Sequence, residues 1–148
     1  MPVIREQDMD KGRKAWDAWR RAAKQDAEPG QQYEGATGTK SAAQRLEANP
    51  DLPRPTWAMA VRYTLFLLER KAPGPGVEVR VAPWGAIKIL DGPASDPHNL
   101  TPPDVIELDP EVWLRLAAGI TTWAEEKAAG HITAVGERDD LSDLLPLA

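Results

Sequence analysis

Few side chains in this sequence could do chemistry, and their spacing decides what each could do. The chain has 148 residues with two histidines, His98 and His131, and no cysteine. A bound metal needs His, Cys or carboxylate ligands at short, regular spacings. His98 lies in a proline-rich stretch near Asp96 and His131 opens a strand-like segment, so neither joins such a set. The lack of cysteine removes thiolate nucleophiles, disulfides and Cys-bound zinc together. The adjacent acids Glu125-Glu126 and Asp139-Asp140 resemble general acid–base pairs only in being paired. Both fall where helices should begin, and acids there stabilise the helix dipole. Nothing near them implies an apolar pocket able to raise a carboxyl pKa, so they read as caps. Gly35-Ala36-Thr37-Gly38-Thr39-Lys40 lacks phosphate-loop spacing and no apolar strand precedes it. No Ser–His–Asp order stands out. No catalytic residue, metal or cofactor is expected, and no enzyme activity.

Composition narrows the partners. The net charge is −5, with 18 basic residues scattered among 23 acidic ones, so no basic stripe suits a phosphate backbone. Nucleic acid is therefore not an expected partner. Hydrophobic residues make up 42%, enough for one globular domain. No run approaches the ~20 apolar residues of a membrane span, and the N-terminus has no apolar signal core. The expectation is a cytoplasmic protein without stable membrane insertion.

The elements follow from periodicity. Trp16, Trp19 and Ala23 recur at helical spacing in a helix from about Asp8 or Asp10 to Asp26. Breakers such as Pro29-Gly30, Gly35, Gly38, Pro50 and Pro53 make residues 27–55 irregular, save a helical turn at 41–48 capped by Ser41. A second helix, capped by Thr56, should run to Lys71. It carries one apolar face of Trp57, Ala60, Val61, Thr64, Leu65 and Leu68, and a second of Met59, Tyr63, Phe66 and Leu67. A helix apolar on two sides needs covering on two sides. The second face is assigned to Trp16 and Trp19, within one chain or across a homodimer.

Val77-Glu78-Val79-Arg80-Val81 alternates at period two and turns through Pro83-Trp84-Gly85 into a second strand, residues 86–90. A third strand spans 104–108. Asp109-Pro110-Glu111 then opens a helix ending at Gly119, and Thr122-Trp123-Ala124-Glu125 is a capping box for the next, closed by Gly130. Residues 131–136 make a fourth strand, and Asp139 or Asp140 caps a terminal helix with Leu141, Leu144 and Leu145. Hairpin strands with segregated helices define an α+β fold.

The order from Asp109 onward resembles the closing half of sterol-carrier-protein-like domains, most closely those of the bacterial sterol-carrier-like (bacterial SCP orthologue) family. Trp113 with Leu116, Ala118-Gly119, Thr122-Trp123-Ala124-Glu125, Ala129-Gly130-His131-Ile132 and Leu144-Leu145-Pro146-Leu147 carry it. Ala60-Val61-Arg62-Tyr63-Thr64-Leu65 and residues 77–86 are also similar. The resemblance implies a mostly antiparallel sheet of about five strands covered on one face by helices. It divides the chain into an N-terminal helix and irregular extension, 1–55, packed on a sterol-carrier-like domain, 56–148. It further implies non-catalytic binding of a lipid or acyl chain in an apolar cavity between helices and sheet. Tyr63, Phe66, Leu67, Trp84, Trp113 and Leu144 are the residues assigned to line it. The alternative is a structural or regulatory protein-interaction module whose own aromatics fill the pocket.

Overall fold

The computed structural model describes residues 2–27, 42–92 and 104–147. His98, the 35–40 glycine loop and the cap assigned to Ser41 lie outside them. Helix α1, Met9–Ala27, follows a 3-10 turn at Glu6–Asp8, and a one-turn helix α2 covers Ala42–Arg45. Helix α3, Arg54–Lys71, begins two residues before Thr56. Pro53 sits at its N-cap and Pro55 in its first turn, where a missing N–H costs no helical bond.

On α3 the apolar spacing sorts as expected. Ala60, Val61, Thr64, Leu65 and Leu68 are wholly buried, while Met59, Tyr63, Phe66 and Leu67 are half-buried. Helix α1 runs antiparallel along α3. Gly12 comes so close that a Cβ there would stand 2.8 Å from the Tyr63 Cβ, and Trp19 meets Trp57 edge-on at 5.8 Å. Trp16 and Trp19 are buried in the same apolar core as α3 and the sheet, within one chain.

Strand β1, Pro73–Val81, starts earlier than its alternation suggests and bulges between Pro73 and Val77. It pairs antiparallel with β2, Gly85–Ile89, and parallel with β3, Asp104–Leu108. Strand β4, Ile132–Val135, pairs antiparallel with β3, giving the order β2-β1-β3-β4. The described sheet thus has four strands and is mixed, not a mostly antiparallel one of five. The reason is local. Returning antiparallel to β1, β2 ends beside the start of β1, so a strand entering there on the free edge of β1 must run with it. Val77, Val79, Val81, Ile87, Ile89, Ile106 and Leu108 point into the core, whereas Glu78, Arg80, Glu107 and Thr133 occupy the other face. Among the described residues the helices lie on the core face of the sheet.

Helices α4, Pro110–Ala118, and α5, Trp123–Ala128, end on Gly119 and Gly130, both with left-handed φ near 77°. The Thr122–Glu125 capping box forms in full. Asp109 occupies the α4 N-cap, but its carboxylate makes no capping bond. The terminal helix does not form. Ser142–Leu144 is a single 3-10 turn, and the extended tail beyond it docks through Leu147 N–H onto the Ala117 carbonyl at 2.9 Å. Pro146 cannot donate a helical bond, leaving too few residues for a stable turn of α-helix.

Candidate functional site

Four indoles form a file that runs from the interior to the surface. Trp16 stacks on Trp19 at 6.0 Å, Trp19 meets Trp57, and Trp57 stacks on Trp84 at 6.5 Å with a 23° interplanar angle. The inner pair is buried and the outer pair half-buried. Trp57 and Trp84 line an open groove of about 270 Å³ with Asn49, Leu52, Arg54, Pro110 and Glu111. The sequence places these residues at the start of α3, in the β1–β2 turn and at the start of α4. The Arg54 guanidinium lies over the Trp84 ring at 5.6 Å, and Arg62 Nε donates to the Trp84 carbonyl at 3.2 Å. That backbone bond holds the turn against α3.

Beside the groove lies a polar cleft of about 310 Å³, lined by Arg80, Ala82, Glu107, Leu108, Asp109, Gly130, His131 and Thr133. Behind it is a buried ion pair. Glu126 is 0% and Arg115 3% exposed; Nε and Nη2 of Arg115 donate to the two carboxylate oxygens at 2.8 and 3.1 Å. Thr121 Oγ1 donates to Glu126 at 2.7 Å, and His131 Nδ1 stands 2.7 Å from its other oxygen. Nη1 of Arg115 donates to the Ala48 carbonyl, tying in the chain before α3. Burial pushes the Glu126 carboxyl up, but the bonds from Arg115, His131 and Thr121 outweigh it and hold the group below its ordinary range.

Helix-end chemistry builds this network. At Gly130 the His131 N–H bonds the Glu126 carbonyl and the Gly130 N–H bonds that of Lys127; Ile120 and Gly119 repeat the pattern on Arg115 and Leu116. This is the glycine-terminated Schellman arrangement, which folds the residue after the glycine back over the one five positions earlier. The reading of Glu126 as a cap is therefore corrected, and His131, read as a histidine at the start of a strand, is paired with it. Glu125 is the capping acid, and Glu126, one step round the helix, points inward. A glutamate five residues before a histidine that follows a helix-ending glycine was the available signal.

The residues assigned to a ligand cavity are not brought together. Tyr63 lies under α1 beside Gly12, and Phe66 lies beneath the Arg70 guanidinium at 5.6 Å. Leu67 is half-buried on α3, and Leu144 sits in the terminal turn, its carbonyl accepting from Lys71 Nζ at 2.7 Å. Trp113 fills the core and donates through Nε1 to Thr64 Oγ1 at 2.8 Å. Only Trp84 borders the tryptophan groove. The side chains between α3 and the sheet close on one another: Val61, Leu65, Leu68, Val77, Val79 and Ile89 are wholly buried. Among the described residues no group of three or more His, Cys, Asp and Glu side chains could hold a metal ion, and no helix is long and apolar enough to cross a membrane.

An α+β layer with helices on one sheet face, closed by glycine-ended helices, is the architecture expected from the resemblance. Residues 53–147 match the family described as bacterial SCP ortholog, and the chain belongs to that family. No curated protein matches it. Helix α1 lies outside the matched segment yet completes the core of the matched part.

Proposed function

We propose that the protein is a non-catalytic binder of an apolar ligand, a lipid or acyl chain, laid on Trp57 and Trp84. The carrying observation is the pair of stacked, half-buried indoles that face an open groove together. Apolar area removed from water there contributes about 25 cal/mol per Å². Buried Trp19 backs Trp57 edge-on, so the inner indole is already positioned and less ordering cost falls on binding. Family membership supports the same reading, and the surface groove replaces an internal cavity as the seat. The test is titration of a fluorescent acyl probe, with native mass spectrometry, on the wild type and on Trp84→Ala and Trp57→Ala. Saturable binding that weakens about tenfold or more in either variant is expected. Equal affinity in all three proteins, or none in the wild type, would overturn it. The closed interior favours one second reading, an interaction module whose groove takes a protein segment. Failure of the acyl probe together with retention of a partner through Trp84 would establish it.

A further inference from the structure

The polar cleft and the tryptophan groove are lined by neighbouring stretches of the chain. Ala82 and Trp84 flank one turn, and Asp109 on the cleft is joined directly to Pro110 and Glu111 on the groove. A ligand lying on Trp84 can thus extend towards the cleft that His131 lines. We propose that this cleft receives the polar end of the same ligand, and that this end is a hydrogen-bond donor, an ammonium or hydroxyl group, taken up by His131 and Asp109. The inference rests on the groove reading for the apolar part and adds the class of head group.

The geometry of His131 carries the argument. Its Nδ1 is committed inward to a carboxylate that is wholly buried, and its side chain is 38% exposed. Because Glu126 already accepts from Arg115 and Thr121 and is an acceptor only, the proton of a neutral imidazole sits on Nδ1. Nε2 is then a lone-pair acceptor on the exposed edge of the ring, fixed by a partner behind it. Asp109 adds an acceptor not consumed in capping α4. Arg80, the one Arg or Lys among the described residues lining the cleft, is already paired with Glu78 and Glu107. His131 Nε2 and the Asp109 carboxylate are thus offered to a donor, while Glu107 on the same cleft adds negative charge unfavourable to a carboxylate head.

Three monomeric amphiphiles of equal chain length test this below their micelle concentrations: octylamine, octan-1-ol and octanoate. Binding is followed by NMR of the Trp84 indole N–H, which reports the groove, and of the His131 ring nitrogens, which report the cleft. Octylamine and octan-1-ol should perturb both sites and bind more tightly than octanoate. Asp109→Asn, which removes no capping bond, should weaken octylamine about tenfold while leaving octan-1-ol little changed. A response at Trp84 alone, with all three equal, would overturn the head-group inference and leave the groove reading standing. Tighter octanoate binding would also overturn it, by placing the head on Arg54 instead. No response at Trp84 from any of the three would sink the groove reading itself, and this inference with it.

Discussion

Glu126 carries its charge where no water reaches, and only its neighbours keep it there. Arg115, Thr121 and His131 satisfy the carboxylate from three directions. A buried pair of this kind is weak evidence of net stabilisation, because desolvating both ions offsets their attraction. Removing one member alone is another matter. Glu126→Gln leaves Arg115 charged and buried, and should cost about 3–5 kcal/mol in urea unfolding. The double variant Arg115→Met with Glu126→Leu should cost less than either single change, since no charge is then stranded. Single-variant losses under about 1 kcal/mol would show that water already reaches the pair. In the sequence only the histidine that follows the helix-ending glycine, five residues after Glu126, signalled this. An acid near a helix start reads as a cap, and Glu125 beside it is one; the Arg115 side chain reaching from α4 sets Glu126 apart.

At the scale of elements, α1 is held by the close approach of Gly12 to Tyr63 and Ile4. Gly12→Ala sets two effects against each other. Alanine improves helix propensity by about 1 kcal/mol. Its Cβ, however, would stand 2.8 Å from both the Tyr63 Cβ and the Ile4 Cδ1, and the Tyr63 Cβ is anchored to backbone. The clash should win, so the variant should melt below the wild type; a raised melting temperature would mean that α1 rides loosely on α3. Trp19→Ala should cost about 3–5 kcal/mol, as for other buried large-to-small changes. Helix α3, the hairpin, the capping box and both helix-ending glycines were readable because each rests on local spacing. The terminal helix was not: leucine spacing favoured it, but Pro146 and the docking of Leu147 onto α4 prevailed.

For the whole molecule, acid should undo the links that join the segment before α3 to the rest. Arg45 donates to the Glu125 carboxylate at 2.7 Å and to the Ile120 carbonyl at 3.1 Å, while Arg115 holds Ala48. The Arg45 guanidinium, helped by the Thr122 N–H, holds the Glu125 carboxyl down from 4.5 to about 2. Bonds from Ser142 likewise lower the Asp140 carboxyl, and Glu126 is lowered by its own network. A carboxyl depressed in the folded state stabilises it fully above the unfolded value and loses that contribution as pH falls through the folded one. Stability should therefore hold above about pH 5 and decline progressively from about 4.5 towards 2. Glu125→Gln should start lower at neutral pH and decline less steeply. Identical acid profiles for the two proteins would remove Glu125 from the account.

The sequence by itself determined helices α1, α3, α4 and α5, the hairpin and the family, because these rest on spacings of a few residues along one element. Val77, Val79 and Val81 had to share a face, Thr122 had to meet Glu125, and α3 had to be covered twice. Tertiary structure decided what depends on two elements meeting. It set β3 parallel to β1, because β2 ends at the start of β1 and leaves the other edge free. It brought Trp84 from a turn onto Trp57 from a helix start, making a groove that neither segment announces. It also turned Glu126 inward to Arg115, residues on separate helices whose glycine-ended turns alone bring them into register. Local periodicity fixes which side of an element is apolar; only packing fixes which side chains from different elements face each other, and both candidate sites are of that second kind.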